Sequence, residues 1–164
     1  MIRLPFPGRC AALALLLLAL AVPAPAAPPQ RAPSKGDVVP AFETTRIDGQ
    51  PQKVDFPKGS KTVLLFFSSG CPHCQKMIPE WNRAYARRPE GLEVVGVILD
   101  QEPPGFWQSR SVTFPVVRSP GRQFLQSLNV NRVPLTLRVA EGGTIEDLAV
   151  GTTDPIRLGE IFKP

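Results

Sequence analysis

The sequence predicts a single α/β domain in three layers, with a mixed central sheet flanked by helices. Three observations carry that expectation. Two continuous apolar runs, KTVLLFFS at 61–68 and LEVVGVIL at 92–99, read as central strands covered on both faces. The stretch between them spaces its apolar residues as a helix does. A hairpin pattern and a capped helix close the chain, and this order fits helices packed on a mixed sheet.

Taken in order, AFETTRIDGQPQKVDF (41–56) reads as two short strands around the Asp48–Gly49 turn. After the first apolar strand, Met77, Ile78, Trp81, Ala84 and Tyr85 mark one face of a helix from Pro72 to about Arg87. Pro72 suits its first turn. Pro79 falls inside it and removes a backbone donor, which predicts a kink. Beyond the second strand, PPGFWQSRS (103–111) reads as a short helix, with Phe106 and Trp107 assigned to the core in preference to a client groove. FPVV (114–117) reads as a short strand end, and GRQFLQSL (121–128) as a helix that Asn129 can stop. LTLRVA and TIEDLAV flank Glu141–Gly142–Gly143 as a hairpin. Asp154–Pro155 supplies an N-cap and a first-turn proline for the last helix.

The first 26 residues speak to compartment. Arg3 and Arg9 precede the apolar run CAALALLLLALAV (10–22), and Ala24 and Ala26 form an Ala-x-Ala site. This is the pattern of a cleaved signal peptide over residues 1–26. The run is shorter than the roughly 18–20 apolar residues a membrane span needs. Cleavage leaves no membrane span and removes Cys10, so the mature chain keeps Cys71 and Cys74 alone. Residues 27–35 are expected to form a disordered, proline-rich lead, and 36–164 the folded domain. Loss of Arg3 and Arg9 lowers the formal charge of +5 by two, and the remainder has no basic block. That argues against nucleic acid as a partner. Export to a bacterial periplasm is the expectation, where disulfides persist.

Residues 71–74, Cys-Pro-His-Cys, hold the chain's single histidine between two cysteines. A Cys-x-x-Cys where a strand meets a helix reads as a redox motif of the thioredoxin type. Cys71 at the helix start would meet unpaired N–H groups and the positive end of the helix dipole, which favour a thiolate. His73 can add positive charge beside the same sulfur, and Pro72 completes the tuning dipeptide. Cys74, one turn on, should be more covered and act as the resolving thiol. Other readings compete. As a staple, so short a loop contributes only about 2 kcal/mol. Structural zinc requires two more ligands. A Cu(I) carrier could use Cys71, Cys74 and His73. A purely structural domain would leave Cys71 unreactive.

Over residues 36–162 the chain resembles the exported TlpA/ResA-like thiol–disulfide oxidoreductases of the thioredoxin fold. GDVVPAFETTRIDGQP is similar to that family's lead-in, VLLFFSSGCPHC to its strand and active-site turn, and VPLT (133–136) to its cis-proline loop. The resemblance implies that Pro134 is cis and that Val133 and Pro134 contact substrate. It implies protein thiols and disulfides as partners, a membrane redox protein that recycles the couple, and no cofactor or metal. Two positions depart from the pattern. Leu65 stands where thioredoxin buries an acid, and Met77 where some TlpA-like reductases carry a carboxylate. Neither can take a proton from Cys74. The Pro72–His73 dipeptide resembles oxidising DsbA-type proteins instead, although the helical insertion of that family is missing. Backbone and dipeptide thus point in opposite directions of electron flow.

Overall fold

The computed structural model describes residues 31–163, with β3 (Lys61–Phe67) at the centre of its main sheet. The expected signal peptide, 1–26, lies outside the described residues. Six of β3's seven residues are buried, as befits a strand covered on both faces. It pairs in parallel with β4 (Leu92–Ile98) and antiparallel with β6 (Leu135–Val139). β5 (Val116–Arg118) lies outside β4 and β7 (Ile145–Val150) outside β6, giving the order β5-β4-β3-β6-β7. The mixed sheet is the one expected.

Alternation along β3 divides the core. Val63, Leu65 and Phe67 face α1 (Pro72–Ala86) and α4 (Pro155–Ile161), meeting Met77, Ile78, Trp81, Leu158 and Ile161. Leu64 and Phe66 face the opposite side. There they meet Phe42, Val54 and Phe56, with Phe124 and Leu125 of α3 (Arg122–Ser127) packed against the same cluster. Phe42 and Val54 belong to a separate two-stranded sheet, β1 (Phe42–Thr45) and β2 (Pro51–Val54). The predicted hairpin therefore forms part of the second covering layer. Each large apolar side chain buried in these layers contributes roughly 1.5–3 kcal/mol.

α1 starts on Cys71 as N-cap with Pro72 in its first turn, and it continues through Pro79 to Ala86. The buried indole of Trp81 anchors it to the sheet by donating Nε1–H to Thr136 Oγ1 at 3.1 Å. α2 is short, Phe106–Ser109. Phe106 is buried as expected, whereas Trp107 is half-buried and donates Nε1–H to Glu102 Oε1 at 2.9 Å. Asn129 ends α3 in the left-handed region, at φ 55°. Val130 N–H then reaches back to Leu125 O, a helix-ending hydrogen bond. A turn at Glu141–Gly143 joins β6 to β7. Asp154 caps α4 by accepting from Ile156 N and Arg157 N.

One boundary moves. The proline-rich lead was expected to run disordered to residue 35, yet Arg31–Lys35 are tied to the domain. Arg31 pairs with Asp37 at 2.6 Å, and Lys35 with the buried Asp147 at 2.8 Å. Ser34 N–H donates to Asp37 Oδ2 at 2.9 Å. Composition signals what cannot pack by itself, but charged residues in that lead find partners across the fold.

Candidate active site

The end of β3 and the start of α1 are separated by Ser68–Ser69–Gly70–Cys71, and the chain must turn within these residues. Cys71 N–H donates to Ser68 O at 3.2 Å, and Gln75 N–H to Cys71 O at 3.0 Å. With φ −86° and ψ 114°, Cys71 takes the extended conformation of an N-cap residue. Its sulfur plays the part usually taken by a capping oxygen. Sγ accepts the N–H of Cys74 at 3.3 Å.

The two cysteines are free thiols in unlike surroundings. Cys71 is half-buried, whereas Cys74 has no exposure. Burial first, and the neighbouring Cys71 second, push the Cys74 thiol up to about 12. His73 and Pro72 are exposed on the first turn of α1. Across from them the Val133–Pro134 peptide is cis, and Val133 O stands 3.9 Å from Cys71 Sγ. Pro134 O accepts from Gly151 N at 2.7 Å, which ties this loop to the end of β7. The structure thus brings Cys71, Cys74, Val133 and Pro134 together from two distant segments.

Leu65 and Met77 are buried beneath the pair. Met77 Sδ accepts from Thr153 N at 3.4 Å. The carboxylate near the cysteines comes from elsewhere. Asp100, two residues past β4, accepts hydrogen bonds from the turn that leads into Cys71. Its position just beyond the carboxyl end of a parallel strand is where sites form in open α/β sheets, a signal that could have marked it in the sequence. Among the described residues no three His, Cys, Asp or Glu side chains converge as metal ligands. The Cu(I) reading of Cys71, Cys74 and His73 therefore finds no support.

A thioredoxin-like fold that carries a Cys-x-x-Cys at the strand–helix turn defines the class: this is an enzyme of thiol–disulfide exchange. The chain belongs to the Redoxin family, whose profile matches residues 34–157. It is similar to the sporulation thiol-disulfide oxidoreductase A of Bacillus subtilis, with 29% identity over 79% of this chain and 83% of that protein. Thiol-disulfide oxidoreductase ResA of Geobacillus kaustophilus shares 26% identity over 79% of this chain and 78% of its own. Among solved structures, StoA from Bacillus subtilis superposes with a TM-score of 0.64. It has 27% identity and covers 76% of this chain and 97% of that one.

Proposed function

We propose that the Cys71–Cys74 pair exchanges disulfides with protein partners outside the cytosol. The observation that carries this reading is the asymmetry of the two sulfurs. Cys71 is reachable and receives an N–H at 3.3 Å, and Cys74 lies directly behind it without exposure. In the reducing direction, the Cys71 thiolate attacks one sulfur of a partner disulfide. The partner S–S bond breaks, a Cys71–partner disulfide forms, and the other partner sulfur leaves and takes up a proton. Cys74 then gives up its proton and attacks the Cys71 sulfur. The mixed disulfide breaks, the partner departs as a dithiol, and the Cys71–Cys74 disulfide carries away the oxidising equivalents. The oxidising direction is the reverse.

Val133 and Pro134 hold the partner's backbone beside Cys71, and Pro72 and His73 tune the sulfur. The relative potentials of this pair and its partners decide the direction of electron flow. The Pro72–His73 dipeptide supports an oxidising bias. Insulin-disulfide reduction, together with oxidative refolding of a reduced protein, tests the activity. The wild type should be active in at least one assay and Cys71→Ala in neither. Equal activity of that variant would remove the reading.

Export supplies the compartment, with residues 1–26 cleaved and a membrane redox protein recycling the couple. The basic start, the short apolar run and the Ala24/Ala26 site motivate it. N-terminal sequencing of protein from the periplasmic fraction should begin at Ala27. A membrane-held form that keeps Met1–Val22 would exclude it.

A further inference from the structure

Asp100 is a half-buried acid just beyond β4, and among the described residues every hydrogen bond it accepts comes from one turn. Ser68 Oγ donates to Oδ2 at 2.6 Å, Ser69 N to Oδ1 at 2.8 Å, Ser69 Oγ to Oδ2 at 2.9 Å and Gly70 N to Oδ2 at 3.3 Å. These residues fill the gap between the end of β3 and Cys71, so the carboxylate sets the path by which the chain delivers Cys71 to the helix start. Two backbone N–H groups that neither strand nor helix can satisfy find their partner here.

Asp100 differs from other covered acids of the fold. Glu102 is paired with Arg118 at 2.8 Å, and Asp147 with Arg157 and Lys35, each at 2.8 Å. Among the described residues Asp100 has no such cation. Burial opposes its charge, but the bonds from Ser68, Ser69 and Gly70 outweigh this and hold the carboxyl below its ordinary range. The turn that leads into Cys71 therefore holds a carboxylate without a cation partner, and its charge reaches the Cys74 thiol.

We infer that Asp100 is a positioning residue that fixes the Ser68–Gly70 turn and, through its uncompensated charge, holds the Cys71–Cys74 couple at a lower reduction potential. The step involved is the two-electron one. A partner dithiol is oxidised to its disulfide and gives up two protons, the Cys71–Cys74 bond breaks, one proton goes to Cys74, the other goes to solvent, and Cys71 is left as a thiolate. That new negative charge is repelled by Asp100, so the reduced form is disfavoured. The same charge adds to the upward push on Cys74, after the larger effects of burial and Cys71. Asp100 thus acts against the helix end and His73, in a site where Leu65 and Met77 provide no acid.

The inference rests on the proposed redox role of the pair, and one titration separates the two. The whole mature protein is equilibrated with glutathione buffers and its dithiol fraction measured. Asp100→Asn removes the charge, and the equilibrium should shift toward dithiol on the order of tenfold, which corresponds to about 30 mV more oxidising. Ser119→Lys places a cation in the polar cleft that Asp100, Arg118 and Ser119 line, and it leaves the carboxylate's hydrogen bonds in place. It should shift the equilibrium the same way, and it decides alone if Asp100→Asn does not fold. Ser68→Ala loosens the same turn but keeps the charge, so it should give no such rise. An unchanged or lower potential in Asp100→Asn or Ser119→Lys overturns the inference, as does an equal rise in Ser68→Ala. A wild type with no glutathione-dependent transition overturns the redox role itself.

Discussion

A sulfur at the first position of a helix meets unpaired N–H groups, and Cys71 receives that of Cys74 at 3.3 Å while the Cys74 thiol sits without exposure behind it. In the proposed exchange, the pairing of a reachable sulfur with a covered one sets the order of events. His73 stands exposed on the same turn, and its proposed role is to favour the dithiol form by placing positive charge beside the pair. A favoured dithiol is a stronger oxidant as disulfide. We expect a potential of roughly −130 to −220 mV, above the value near −270 mV of thioredoxin. His73→Ala should lower it by about 30 mV, a tenfold change in the glutathione equilibrium. An unchanged potential in that variant would remove His73 from the tuning of the couple. These residues were legible because they are neighbours in sequence. The pairing of Asp100 with the turn was not, since its partners lie about thirty positions earlier. The parallel register that sets Phe67 opposite Ile98 brings them together, and register is not visible in either strand alone.

Among the elements, the two central strands and α1 follow from apolar pattern, but a short strand depends on what it meets. FPVV was read as a strand end at 114–117, whereas β5 runs Val116–Arg118. Phe114 turns inward instead, and Pro115 contributes its carbonyl to Gly96 N–H at 2.8 Å. Gly96 explains the tightness of this corner. A Cβ there would stand 2.7 Å from Phe114 Cε2 and 3.2 Å from Phe67 Cε1. The Phe114 ring is packed edge-on against Phe67, Trp81 and Tyr85, with centroids 6.3–6.4 Å apart, so it has little room to withdraw. Gly96→Ala should therefore destabilise the fold by about 1–3 kcal/mol, the usual cost of overfilling a packed core. Urea unfolding tests this, and a midpoint equal to wild type would show that the corner can yield.

At the scale of the whole molecule, charged residues close the fold at its margins. The β1–β2 hairpin was readable as a local piece, but its docking was not, nor was the tie of Lys35 to Asp147, because both depend on partners far along the chain. Asp147 holds Lys35 and a two-pronged Arg157, whose guanidinium keeps its carboxyl well below the usual range. Glu102 is held down to about 2, first by the hydrogen bonds of Arg118. A carboxyl lowered by folding contributes stability that is fully present above its unfolded value. That contribution is lost as pH falls through the folded one. Stability should thus be nearly constant from pH 7 to about 5 and fall between about 4.5 and 2. Glu102→Gln should flatten part of that fall in thermal melts. A variant with an unchanged acid slope would mean that the Arg118 pair contributes nothing to folding.

The proposed function rests on a covalent encounter between Cys71 and a partner sulfur, and trapping that encounter tests it most directly. Mature Cys74→Ala can form the mixed disulfide but lacks the thiol that resolves it. Incubated with a disulfide-bearing protein, it should accumulate a one-to-one adduct joined through Cys71, seen by mass spectrometry and released by dithiothreitol. Cys71→Ala should form none. Adducts through Cys74 in Cys71→Ala, or no adduct in either variant, would contradict the assignment of Cys71 as the attacking sulfur.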